Sequence, residues 1–98
     1  MATSVEISAA ARFEFNEAFD WYAKRSPGAA IGFAAELDAA IEKIGADPEQ
    51  FPRTYADCQR CILKHYPYSI IYYRTPERIV IVAIAHAKRL PAYWKSRM

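Results

Sequence analysis

Residues 9–46, AAARFEFNEAFDWYAKRSPGAAIGFAAELDAAIEKIGA, decide the fold, because two apolar stripes of helical period meet there at a single serine–proline step. Ala11, Phe15, Ala18, Phe19 and Tyr22 recur at i, i+4, i+7, i+8 and i+11, which is one face of a helix ending near Arg25. Ser26-Pro27 then restarts the pattern: serine is a strong N-cap, and proline suits the first helical position because its missing N–H is not needed there. Phe33, Leu37, Ala40, Ile41 and Ile44 form a second stripe, which Gly45 and Asp47-Pro48 bring to a stop. Two amphipathic helices joined by so short a turn make an antiparallel hairpin.

Working outward, Thr3–Ile7 is short and β-branched, with Glu6 between Val5 and Ile7, and reads as an edge or first strand. Beyond the hairpin, Glu49–Asp57 is a loop marked by Phe51-Pro52. The chemistry then turns β. Arg60–His65 and Ser69–Arg74 are strands flanking a Tyr66-Pro67-Tyr68 turn, and Thr75–Arg78 is a hairpin turn into Ile79–His86. That last strand is apolar on both faces and is expected to be central and covered on both sides. Leu90-Pro91 opens a final helix, Pro91–Arg97. The order β-α-α-β-β-β-α predicts an α+β fold: an N-terminal strand, a helical hairpin packed on a small, mostly antiparallel sheet, and a short C-terminal helix.

The chain of 98 residues is expected to be one domain, 1–98, and its length excludes a two-domain enzyme. At 53% hydrophobic and 14% aromatic it can fill a core, so disorder is excluded as well. No apolar run approaches the roughly 20 residues of a membrane span, and MATSVEIS lacks the basic-then-apolar order of a secretory signal. A cytoplasmic protein with no membrane contact is the expectation. Charge is sorted along the chain. Residues 1–50 carry nine acidic and four basic side chains, a net of −5, whereas residues 51–98 carry nine basic and two acidic, a net of +7. Either an acidic helix layer lies beside a basic sheet, or a basic surface faces an acidic partner, nucleic acid or protein.

Several residues qualify for chemistry. Period two places Arg60, Ile62 and Lys64 on one face of their strand, with Cys61, Leu63 and His65 on the other. Along the last strand it groups Val80, Val82, Ile84 and His86. His86 has two readings: a general acid or base for RNA cleavage, or a histidine hydrogen-bonded to loop backbone at the end of the sheet. Arg60 would stabilise charge on a pentavalent phosphate, or form a surface salt bridge. Lys64, Lys88, Arg89, Lys95 and Arg97 are candidate contacts to a nucleic-acid or protein target, or else solvated charges. Tyr93 and Trp94 could stack on bases, although Trp94 suits a core anchor better. His65 reads as a surface strand residue. Cys58 and Cys61 form C-x-x-C, but in a strand such a pair faces opposite ways, which suits neither a dithiol switch nor a shared metal. A zinc site from Cys58, Cys61, His65 and His86 fails for the same reason. No phosphate-binding loop, dinucleotide fingerprint or serine nucleophile elbow occurs, and neither a metal nor a cofactor is expected.

Taken together, Trp21-Tyr22 with Ser26-Pro27, the Phe51-Pro52 loop, Arg60, Pro67-Tyr68, and His86 with Arg89, Pro91, Trp94 and Arg97 resemble the RelE/ParE superfamily. These are toxins of type II toxin–antitoxin modules, also called plasmid stabilisation proteins, and the resemblance runs from about Val5 to Arg97. It implies a toxin neutralised by a cognate antitoxin, in a hetero-oligomer whose antitoxin segment lies along the helical hairpin and sheet. One branch of the superfamily cuts mRNA on the ribosome without a metal; the other poisons DNA gyrase. On the cutting branch the resemblance would make Arg60, His86 and Tyr93 catalytic, with Glu49 a loose match to a loop glutamate. Ala87 stands where such cutters carry a tyrosine, which tips the expectation towards gyrase inhibition. The alternatives are a ribosome-dependent endoribonuclease and a non-toxic module that only binds an antitoxin.

Overall fold

The computed structural model describes residues 4–98. Its regular elements are β1 (Ser4–Ile7), α1 (Ala9–Arg25), α2 (Pro27–Ala46), β2 (Gln59–Ile62), β3 (Tyr68–Arg74) and β4 (Arg78–His86). A 3₁₀ helix, Tyr93–Arg97, follows, and shorter 3₁₀ turns lie at Pro48–Gln50 and Tyr55–Asp57. The expected first strand is present from Ser4; its Thr3 lies outside the described residues.

Both helices are set by caps. The Ser8 hydroxyl accepts the Ala11 N–H at 3.1 Å to start α1. Ser26 serves both helices at once. Its N–H donates to the Tyr22 carbonyl at 2.7 Å to close α1, and its hydroxyl accepts the Ala29 N–H at 3.3 Å to open α2. One residue therefore makes the whole connection. At the far end Gly45 stays helical and buried, and the stop comes two residues later. Pro48 disfavours a helical Asp47, which is extended with φ −151°.

The sheet order is β1-β4-β3-β2, with β1 parallel to β4 and the other pairs antiparallel. The parallel pair is possible because the helical hairpin lies between its strands in the chain and crosses one face of the sheet. On that face Phe33, Leu37 and Ile44 pack against Ile70, Tyr72, Ile79, Ile81 and Ile84. The opposite face is covered by the C-terminal segment, where Trp94 packs with Cys58, Ile71, Val80, Val82 and Ala83. β4 is thus buried on both sides, as its composition implied.

Local structure departs from simple periodicity in three places. Register jumps from Ile71 opposite Ala83 to Tyr72 opposite Ile81, so Val82 has no partner on β3. This β-bulge turns Val80 and Val82 towards Trp94 while Ile84 faces the helices. Val80, Val82, Ile84 and His86 therefore do not share a face. Second, β2 ends at Ile62 rather than running to His65, because Glu36 Oε2 on α2 takes the N–H groups of Lys64 (2.6 Å) and His65 (3.1 Å). Third, the C-terminal helix is a 3₁₀ helix beginning at Tyr93. Ala92 before it is left-handed (φ 56°), and five residues are too few to sustain an α-helix alone.

Cys58 and Cys61 are both free and buried, and they belong to opposite faces of the sheet. Burial pushes the Cys58 thiol up to about 11 and raises that of Cys61, so both are poor nucleophiles.

Candidate functional site

Among the described residues, the most connected carboxylate sits on α1, on the stripe that packs the core. β1 pairs only with Arg78–Ile81, which leaves the same edge of β4 without a strand neighbour further along. Backbone groups on such an edge need other partners. Glu14 and Arg97 supply them. Glu14 Oε1 accepts the Ile84 N–H at 3.0 Å, and Arg97 Nη1 donates to the Val82 carbonyl at 3.0 Å. The two side chains also join each other through a bidentate pair, Nη1 to Oε1 at 2.9 Å and Nη2 to Oε2 at 3.1 Å. Tyr93 Oη donates to Glu14 Oε2 at 2.5 Å, and Arg89 Nη1 lies 3.9 Å from the same oxygen.

The Glu14 side chain is only 10% exposed. Burial, with the hydrogen bond to Glu14 second, raises the Tyr93 phenol well above its usual range. The hydrogen bond to Glu14 also strengthens the hold of Arg97 on its proton. Arg89 stacks over the Tyr93 ring at 3.8 Å, with Arg97 5.1 Å from the ring centre. Glu14 was not among the residues singled out from sequence. Its signal was faint: a carboxylate beside Ala11 and Ala18 on an otherwise apolar helix stripe, with every partner far away in the chain.

Two cavities flank this cluster. A groove of about 490 Å³ opens between α1 and the ends of β3 and β4, lined by Glu17, Trp21, Tyr68, His86 and Arg89 among others. Trp21 is about half exposed in it (52%). A smaller crevice of about 170 Å³ lies on the other sheet face, between the strands and the turn before the 3₁₀ helix. Arg60, Ser69, Leu90 and Tyr93 line it, and no carboxylate does. His86 and Arg89 border both cavities.

Arg60, His86 and Tyr93, the three candidates for RNA cleavage, all border the smaller crevice, but their polar groups are engaged differently. Arg60 pairs across β3 with Ile71, which pairs with Ala83, so it lies on the face covered by Trp94. Among the described residues no ion pair or hydrogen bond engages its guanidinium. His86 pairs with Tyr68 and packs edge-on against that ring at 4.9 Å, on the helix face. Its Nδ1 accepts the Lys88 N–H at 3.0 Å, which places the proton of the neutral ring on Nε2. Tyr93 is tied to Glu14. Glu49 is exposed and 3.5 Å from Arg74.

The candidate target contacts divide into two groups. Arg97 is hydrogen-bonded to Glu14, and Arg89 lies 3.9 Å from it while staying exposed. Lys64, Lys88 and Lys95 are exposed and make no ion pair among the described residues. Lys95 Nζ lies 5.7 Å from the centre of the Tyr55 ring. His65 is no strand residue: its Nδ1 meets Glu36 Oε1 at 2.7 Å and fastens the β2–β3 loop to α2. Among the described residues no group of three or more histidine, cysteine, aspartate or glutamate side chains is placed to hold a metal ion. No helix among them is long and apolar enough to cross a membrane.

Comparison with known proteins gives two findings. The family model for the ParE toxin of type II toxin–antitoxin system, parDE, matches residues 5–91. A solved chain from the chromosomal ParDE toxin–antitoxin system of P. aeruginosa is similar in fold, with a TM-score of 0.78 at 15% sequence identity. That alignment covers 89% of this chain and 98% of the other. No curated protein matches.

Proposed function

The chain belongs to the ParE toxin family of type II toxin–antitoxin systems, and from that premise we propose that it arrests growth by inhibiting DNA gyrase in the cytoplasm until a cognate antitoxin binds it. The observation that carries the choice of target is that Arg60, although it shares the crevice with His86 and Tyr93, has no free acid–base partner on its own sheet face among the described residues. A metal-free cut needs one group to take the 2′-hydroxyl proton while another balances charge on the same phosphate. Here the guanidinium and the imidazole belong to opposite sheet faces, and Nδ1 of the imidazole is occupied by backbone. Tyr93, the third candidate, donates its hydroxyl hydrogen bond to the Glu14 carboxylate. A toxin that acts by binding needs only a shaped and charged surface. The cations around the C-terminal segment, Lys88, Arg89, Lys95 and Arg97 with Arg60 and Lys64 on and beside β2, provide one.

One observation favours a second reading, ribosome-dependent mRNA cleavage. Arg60 is unengaged beside a crevice that contains no carboxylate, a setting that suits a phosphate. End-mapping of a reporter mRNA in a purified translation reaction decides between the two. Intact message under active translation is the expected result. New 5′ ends at ribosomal A-site codons, absent without ribosomes, would overturn gyrase as the target.

A further inference from the structure

We propose that Glu14 is the positioning residue of the toxin's cationic face, fixing Arg89, Tyr93 and Arg97 against the free edge of β4 as one rigid array that the target meets. The proposal rests on the toxin reading above and adds a residue to it. Among the described residues, every side-chain hydrogen bond between α1 and residues 89–98 ends on the Glu14 carboxylate. The segment has little else to hold it. Its helix is a single 3₁₀ stretch of five residues, entered through a left-handed alanine. Trp94 is its one fully buried side chain, with Met98 Sδ touching the Cys58 thiol at 3.1 Å.

Charge works against an ordered segment. Lys88, Arg89, Lys95 and Arg97 lie within ten residues of one another, and their mutual repulsion favours splaying. Glu14 is the only carboxylate in an ion pair with any of them among the described residues. It also acts at a shared boundary, since Arg89 borders both the groove and the crevice. Holding long cationic side chains in place before the target arrives removes an ordering cost from binding.

The test uses the full chain with Glu14→Gln, which keeps an acceptor for the Ile84 N–H and removes the charge. Asp20→Asn removes the same charge from an exposed site on the same helix. Ile44→Val lowers stability from the helix-side core, remote from the segment. Two readouts are taken: amide exchange of Tyr93–Met98, and the amount of protein needed to arrest growth on titrated expression. With Glu14→Gln, exchange accelerates and the arresting dose rises, each by about tenfold or more. Asp20→Asn and Ile44→Val leave both within about twofold.

Unchanged exchange in Glu14→Gln overturns the proposal, and so does faster exchange with an unchanged arresting dose. Equal loss of arrest in Ile44→Val overturns it too, because the effect would then be one of stability. Should the wild-type chain fail to arrest growth, the toxin reading falls separately. The exchange of the segment then decides alone whether Glu14 positions it.

Discussion

At the scale of single residues, Gly32 and Glu36 each carry a contact that a substitution would expose. A Cβ at Gly32 would lie 2.5 Å from the Tyr66 hydroxyl. That hydroxyl cannot easily give way: it donates to the Ala29 carbonyl at 2.8 Å, and its ring meets Tyr22 and Phe33 edge-on. Gly32→Ala is therefore expected to lower stability by about 1–3 kcal/mol, despite alanine's better helix propensity. Adding Tyr66→Phe, which deletes the clashing oxygen, should recover part of the loss; stabilisation by Gly32→Ala alone would contradict the packing described. Glu36 gives a pH signature. Burial alone would raise its carboxyl, but hydrogen bonds from the His65 backbone and ring and from the Lys64 N–H outweigh this and hold it below its ordinary value of 4.5. A depressed folded value means that the stabilisation is fully present above the unfolded carboxylate range and is lost as pH falls through the folded value. Thermal unfolding of Glu36→Gln should show the deficit at neutral pH, and the two melting curves should converge in acid. A deficit that grows in acid would refute that assignment. Neither contact follows from local sequence, because each joins α2 to a loop about thirty residues away.

At the scale of elements, the single-residue connection between the helices concentrates two caps on Ser26. Ser26→Ala removes the side-chain acceptor for Ala29 while leaving the backbone closure of α1 intact. A loss of about 1 kcal/mol is expected. For a domain of this size that corresponds to a drop of roughly 4–8 °C in Tm, measurable by calorimetry. A neutral result would mean that the Ser26 hydroxyl does not cap α2 in solution. The helices were legible closely at Ala9, Arg25 and Pro27 because capping and helical period are local signals. The strands were legible in number and order but less so at their ends. The residues after Ile62 read as strand, yet their N–H groups are claimed by Glu36 from a different element. The bulge at Val82 had no signal, since Val80–Ile84 is apolar throughout and either register buries the same side-chain types. That one extra residue nevertheless separates the facing of Val80 and Val82 from that of Ile84 and His86.

At the scale of the whole molecule, the charge division along the chain becomes a division in space. The acidic half supplies the helices over one sheet face, and the basic half supplies β2–β4 and the segment over the other. Glu14 crosses that division, joining α1 to Ile84, Tyr93 and Arg97 across separations of 70, 79 and 83 residues. No reading of local pattern could assign partners so remote, which is why Arg97 and Tyr93 were legible as candidates while the residue that arranges them was not. Lys88, Arg89, Lys95 and Arg97 lie in or just before the C-terminal segment, whereas Lys64 lies in the β2–β3 loop beside α2. Arg60 and His86 belong to opposite sheet faces, although both border the crevice. A binding surface of this kind, in a ParE family member, makes gyrase the central claim. The most direct measurement is the supercoiling of relaxed plasmid by purified gyrase with ATP, titrated with the protein and resolved after detergent and protease treatment. The expected result is dose-dependent loss of supercoiled product and accumulation of cleaved plasmid, both reversed by the cognate antitoxin. Full supercoiling with no cleaved plasmid, at concentrations of the protein that arrest growth, would contradict it.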